Sequence, residues 1–289
     1  MHLRSTPTIV AIAAIAALVV VSCKPDDHLG AASDASTDAV SDACAILFGT
    51  PTDQTGLTLD RCRPRCACGG DVFSPPAYDD AFAQSLIDDW KLEAPYPELT
   101  SDPYAAPAPS GDPPETVCAM IPKGTAGTKP RPYALATFAT ADEATKAGGK
   151  VTHFGRCGVC STLADLAVYM RNVDLTAPVR SCGLETGGDG GISADVACLQ
   201  KLGFTLPCAQ VWAYNTSNTR KQCLVVCLKN LDQPYNLDDG TLNPCLSCDE
   251  VQSGPVFKAI AGRTRRNTGL PNAICRPCSE VRAVVHAYE

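Results

Sequence analysis

A mainly α-helical fold with irregular loops, disulfide-rich and carrying a small β-sheet or none, is what this chain of 289 residues predicts. Three observations carry that expectation. The chain holds 17 cysteines, far more than a reduced cytosolic domain. Its 23 prolines and 22 glycines cut it into short segments, since both residues interrupt regular elements. Within those segments apolar residues recur at steps of three and four, the spacing of one helix face. A formal charge of -7 argues against nucleic acid as a partner, because phosphate binding rests on an excess of Lys and Arg.

In chain order, residues 1–22 read as a secretion signal: Arg4, then an apolar run over 9–21, shorter than the roughly twenty residues needed to span a bilayer. The run ends in Val20, Val21, Ser22 and Cys23. These four residues resemble the lipobox of bacterial lipoproteins, and the resemblance implies a lipid on Cys23. With Lys24 next to it, the resemblance also implies an outer-membrane lipoprotein of the bacterial cell envelope, its ectodomain in the periplasm or at the surface. Acyl chains add about 0.8 kcal/mol per buried methylene, so the anchor would hold without a spanning helix. Residues 23–43 carry five Asp among Ala, Ser and Thr, too little apolar surface to offset chain entropy, and read as an acidic disordered tether.

Residues 44–118 form a small Cys-rich region. It contains a tight Cys62, Cys66, Cys68 cluster, a helix over 79–92 with Phe82, Leu86, Ile87 and Trp90 near one face, and a Pro-rich stretch over 94–116 that is either a linker or a strap laid on the surface. Residues 119–289 form a Cys-rich helical region. Thr162 and Asp165 have the spacing of a capping box opening a helix to about residue 172. Further short helices are expected over 195–203, 208–215, 256–261 and 279–288, and residues 222–228 read as helix or strand. Five cysteines fall in 44–118 and eleven in 119–289, so full pairing requires at least one bridge between the two regions.

The chemistry-bearing candidates cluster around Cys157 and Cys160. A Cys-x-x-Cys near a helix start and beside Arg156 and His153 can hold a redox-active thiolate. Cys157-Gly158-Val159-Cys160 resembles the Cys-Gly-x-Cys of thioredoxin-like proteins. The same residues are similar to the papain-like signature, which implies Cys160 as nucleophile and His286 as its base. The spacing of Cys157/Cys160, Cys245/Cys248 and Cys275/Cys278 also suits zinc, but in an oxidising compartment these thiols pair, and no metal or cofactor is expected. Arg263, Arg265 and Arg266 form an anion clamp or a solvated loop. The polar run 214–220 beside Trp212 is a ligand rim or a turn. From His153 to His286 the chain resembles uncharacterised secreted cysteine-rich proteins of bacteria and microalgae, a resemblance that implies no activity. The expected function is therefore a binding or envelope-interaction module for a protein or small-molecule ligand, with a thiol-dependent enzyme using Cys157 or Cys160 as the alternative.

Overall fold

Residues 52–56, 78–185, 191–274 and 282–288 are described in the computed structural model. The signal segment, Cys23, the tether, and Cys44, Cys62, Cys66, Cys68, Cys275 and Cys278 lie outside the described residues. The fold is mainly helical with one small sheet. Asp79 caps α1 (Asp80–Asp88) by accepting the Phe82 N–H at 2.7 Å. The expected helix over 79–92 stops there, because Trp90 begins β1 (Trp90–Leu92), a strand paired in parallel with β3 (Arg131–Phe138). Trp90 still reaches the core, edge-on to Tyr133 at 6.2 Å.

The sheet order is β1-β3-β2-β4, with β2 (Val117–Pro122) antiparallel to both β3 and β4 (Lys150–Phe154). Alternation along β2 divides its side chains between two faces. Val117 and Ala119 pack with Ala144 of α2 (Ala141–Lys146), while Met120 joins the main core with Leu86, Leu163 and Leu166. Next comes α3 (Leu163–Arg171), where Thr162 caps as expected: its Oγ1 accepts the Asp165 N–H at 3.0 Å and donates to the Asp165 carboxylate at 2.6 Å. Tyr133 Oη accepts the Leu163 N–H at 2.9 Å, so the sheet itself satisfies a further donor of this helix start.

The remaining helices are α4 (Thr176–Glu185), α5 (Gly191–Lys201), α6 (Leu206–Leu228), α7 (Pro244–Gln252), α8 (Gly254–Ala261) and α9 (Arg265–Thr268). Helix α6 joins two expected segments into 23 residues, which settles 222–228 as helix. Its Cys223 and Cys227, one turn apart, bond to Cys248 and Cys245 of α7, a double staple between neighbouring helices. Cys182–Cys198 ties α4 to α5, Cys160–Cys208 ties the loop before α3 to α6, and Cys118–Cys157 ties β2 to that same loop. The last of these crosses from 44–118 into 119–289, the link that cysteine parity requires. A bridge of this kind contributes about 2 to 4 kcal/mol, less when it closes a loop already closed by another.

The Pro-rich stretch is a strap. Leu99 N–H donates to Gln210 Oε1 at 2.7 Å, and Tyr104 Oη sits 2.8 Å from Asn215 Oδ1 and 3.1 Å from Ser253 O, so the strap binds α6 and the α7–α8 junction by hydrogen bonds. The helix expected over 279–288 is absent from its described part, 282–288, which is irregular. Gly269 (φ 70°) lies against the backbone of Arg282 and Val284, leaving no room for a Cβ, and the Arg282 N–H is spent on Arg266 O. Among the described residues no helix is long and apolar enough to cross a membrane.

Candidate functional site

Cys157 and Cys160 are not bonded to each other. Each belongs to a separate long-range bridge, to Cys118 and to Cys208, so neither sulfur is a thiolate that could attack a substrate, exchange electrons as a pair or bind a metal. This corrects the redox and hydrolase alternatives for that pair. Gly158 has a different purpose: a Cβ there would overlap the Ile260 carbonyl and lie 2.6 Å from Gly262 N. A Cβ on Gly262 (φ 73°) would likewise lie 2.5 Å from Gly158 N. The two glycines let the cysteine loop dock on the end of α8, where Val159 and Cys160 N–H donate to Ile260 and Ala261 carbonyls at 3.0 and 2.9 Å.

His153 and Ser161 form a hydroxyl–imidazole pair sealed inside the protein, 2.7 Å apart and both without solvent exposure. Ser161 Oγ accepts the Gly158 N–H at 2.8 Å and donates to Nε2, while Nδ1–H donates to Phe154 O at 2.9 Å. His286 is equally occupied, by Thr268 O at Nε2 and Tyr288 Oη at Nδ1, both at 2.9 Å. Burial and then the Arg263 charge hold both imidazoles neutral: His153 well below its ordinary value and His286 at about 3. Neither ring is a free base.

The expected arginine clamp also comes apart. Arg263 is wholly buried, its Nε, Nη1 and Nη2 donating to the Cys160, Thr152 and Ser161 carbonyls at 3.0, 3.1 and 3.0 Å. It fastens β4, the cysteine loop and α8 together. Arg265 is buried too, donating to Pro271 O at 2.7 Å and Tyr169 O at 2.6 Å, and burial brings it down to about 10, still protonated at neutral pH. Arg266 pairs with Glu250 at 2.6 Å. Three adjacent cations thus face three different environments, which residue spacing alone does not encode.

What the structure does build is a cleft of about 300 Å³ between α4 and α6, floored by α3, α7 and α8. Both long walls are helix faces. Thr176, Val179, Arg180, Gly183 and Leu184 recur at three- and four-residue steps on α4, as do Trp212, Asn215, Thr216 and Thr219 on α6. The helices touch where Gly183 meets Thr216: a Cβ on Gly183 would lie 2.5 Å from Thr216 Cγ2, and Arg220 donates to Gly183 O. Glycine inside a helix costs about 1 kcal/mol, offset here by that close approach. Leu184, Leu224, Leu228 and Leu231 make an exposed aliphatic rim.

The lining is polar in an unusual way. Tyr169 Oη, Trp212 Nε1 and Arg265 Nε, all from lining residues, are buried without a hydrogen-bond partner. Burial, the largest effect, pushes the Tyr169 phenol up, and the Trp212 side chain beside it acts weakly in the opposite direction. An unmet buried donor costs about 1 to 3 kcal/mol. Five cationic side chains (Arg180, Arg220, Lys258, Arg265, Arg266) line the cleft against three acids, Asp174, Asp249 and Glu250. The acids are engaged: Asp174 by Tyr235 and the Thr176 N–H, Asp249 by Asn215 and Thr219, Glu250 by Lys258 and Arg266.

Of this cleft, sequence reasoning marked Arg265 and Arg266, as part of an anion clamp or a solvated loop, and the polar run beside Trp212, as a rim or a turn. It missed the α4 face, whose signal was available in the spacing of Thr176, Val179, Arg180, Gly183 and Leu184, and it missed Tyr169. Among the described residues no three His, Cys, Asp or Glu side chains converge as metal ligands would. Residues 192–284 match a family of unknown function, DUF8771; the match takes in the α6, α7 and α8 side of the cleft. No curated protein and no solved structure matches the chain.

Proposed function

We propose that the chain is an extracytoplasmic binding module, held at the outer membrane of a bacterial envelope by lipid on Cys23 and spaced from it by the tether 23–43, that takes a small ligand between α4 and α6. The observation that carries this reading is the cleft, whose volume of about 300 Å³ and leucine rim around a polar and aromatic lining suit a small-molecule site. Five disulfides support an oxidising compartment, and the Val20-Val21-Ser22-Cys23 motif supports the anchor.

The cleft is tested with the neutral dye N-phenyl-1-naphthylamine on the full chain. Its fluorescence should rise on binding, and affinity should fall at least tenfold in the double variant Leu224→Glu/Leu228→Glu, whose side chains are about half exposed and tolerate charge. Equal binding by the double variant would sink the cleft as the site. The anchor is tested by Cys23→Ser in a bacterial host, which should move the protein from the membrane to the soluble envelope fraction; retention in the membrane would sink that part.

A further inference from the structure

We infer that the cleft selects ligands carrying an anionic, oxygen-bearing head group on an aliphatic body, with the head group taken up beside Tyr169, Trp212 and Arg265. The inference rests on the reading of the cleft as a ligand site and adds the chemistry of what enters it.

The four buried side-chain polar atoms without a partner among the described residues are Tyr169 Oη, Asp195 Oδ1, Trp212 Nε1 and Arg265 Nε. Three of these belong to residues lining the one cleft; Asp195, on α5, does not. Indole and guanidinium nitrogens can only donate, and a phenol donates readily, so the group that completes them is an acceptor. Tyr169 and Arg265 are each more than nine-tenths buried, and Arg265 already has its other two nitrogens fixed on Pro271 and Tyr169 carbonyls. The guanidinium is therefore held in place with its Nε–H unspent, which removes part of the ordering cost of binding.

Charge points the same way. The chain as a whole is acidic at -7, yet the cleft is lined by five cations and three acids, and each of those acids is already engaged by protein donors. Although Lys258 and Arg266 are shared with Glu250, five cations against three acids leave an excess of two positive charges, which an anion entering this partly desolvated setting meets and a cation is repelled by. The body of the ligand follows from the rim, where Leu184, Leu224, Leu228 and Leu231 offer branched aliphatic surface. Carboxylates and phosphates share the required chemistry, and the experiment separates them.

The full chain is loaded with N-phenyl-1-naphthylamine and titrated, below micellar concentrations, with decanoate, decyl phosphate and decanol, which share an aliphatic body and differ in head group. Decanoate or decyl phosphate should displace the dye at concentrations at least tenfold below decanol, and their order identifies the preferred head group. In Trp212→Phe and Tyr169→Phe that preference, taken as the ratio of decanol to anion concentrations needed for displacement within each variant, should fall at least threefold, each variant keeping its thermal midpoint. If decanol displaces the dye as well as the anions do, head-group selection is overturned and the cleft survives as an apolar site. An anion preference undiminished in both variants overturns the placement of the head group. If the wild-type chain binds no dye, and none of the three decyl compounds shifts its thermal midpoint, the cleft reading and the inference fall together.

Discussion

Two arginines two residues apart belong to two differently built regions. Around Arg263, where β4, the cysteine loop and α8 meet, all three guanidinium nitrogens reach backbone carbonyls within 3.1 Å, and His153, Ser161 and His286 are likewise fully partnered. Around Arg265, at the foot of the cleft, one guanidinium nitrogen, an indole N–H and a phenol have no partner. Both regions are buried and polar, but only the first is complete in itself. Buried polar groups are ordinarily satisfied, and a cluster that is not marks where something else completes the structure. The residues that looked reactive in the sequence lie in the finished region, and the candidate site lies in the unfinished one.

The widest separation between the regions should come from Arg263→Met. It orphans three carbonyls and should lower stability by about 3 to 5 kcal/mol in urea unfolding. A loss under about 1 kcal/mol would mean that the region is not built around that guanidinium.

Acid should act on the same region. A histidine held neutral in the fold takes no proton at pH 5, whereas its unfolded counterpart does below about 6.5, so each of His153 and His286 removes about 1.4 kcal/mol per pH unit as pH falls through that window. Asp165 opposes them: burial lifts it to about 6, so the folded state gains a proton before the unfolded one and returns stability between about pH 6 and 4. The net expectation is a loss of about 3 kcal/mol from pH 6.5 to 4.5, roughly halved or more in His286→Gln when each protein is referred to its own value at pH 6.5. A flat profile, followed by denaturant midpoints, would contradict the sealed geometry of both rings.

On the cleft side the double staple gives a smaller and non-additive response. Removing either Cys223–Cys248 or Cys227–Cys245 as a Ser pair should cost about 1 kcal/mol, because the remaining bridge still closes most of the loop, and removing both about 3 kcal/mol. Strict additivity in calorimetry would show that the two bridges do not share one loop. Smallest of all, Tyr169→Phe should leave unligated stability unchanged or raise it by up to about 1 kcal/mol, since it deletes a hydroxyl with no partner. A clear loss would place a hidden partner on that oxygen and close the gap between the two regions.

The sequence made some of this visible and concealed the rest for identifiable reasons. The cap at Thr162, the strap and the helix over 256–261 follow from local chemistry. The sheet does not announce itself: β2 reads Val-Cys-Ala-Met-Ile-Pro because it is buried on both faces, which erases the alternation that marks a half-exposed strand. Trp90 has helical spacing from Leu86 but is claimed by pairing with β3, a tertiary effect that overrides the local pattern. Arg263 reads as a surface cation because arginines are rarely wholly buried, and only the carbonyls contributed by residues about one hundred positions away make its burial tolerable. The cleft was half legible, through Arg265, Arg266 and the polar run beside Trp212, and half hidden on the α4 face around Gly183.

Cys227 and Cys245 line the cleft as well as bridging α6 to α7. Part of the cleft wall is therefore a covalent product of oxidation rather than of folding alone. A freshly synthesised chain in a reducing compartment carries the same side chains with two thiols where that wall is bonded, and the finished wall arises only after the chain has met an oxidant. The shape of the cleft would then be completed late, on exposure to an oxidising compartment, and would be lost again under reductive stress.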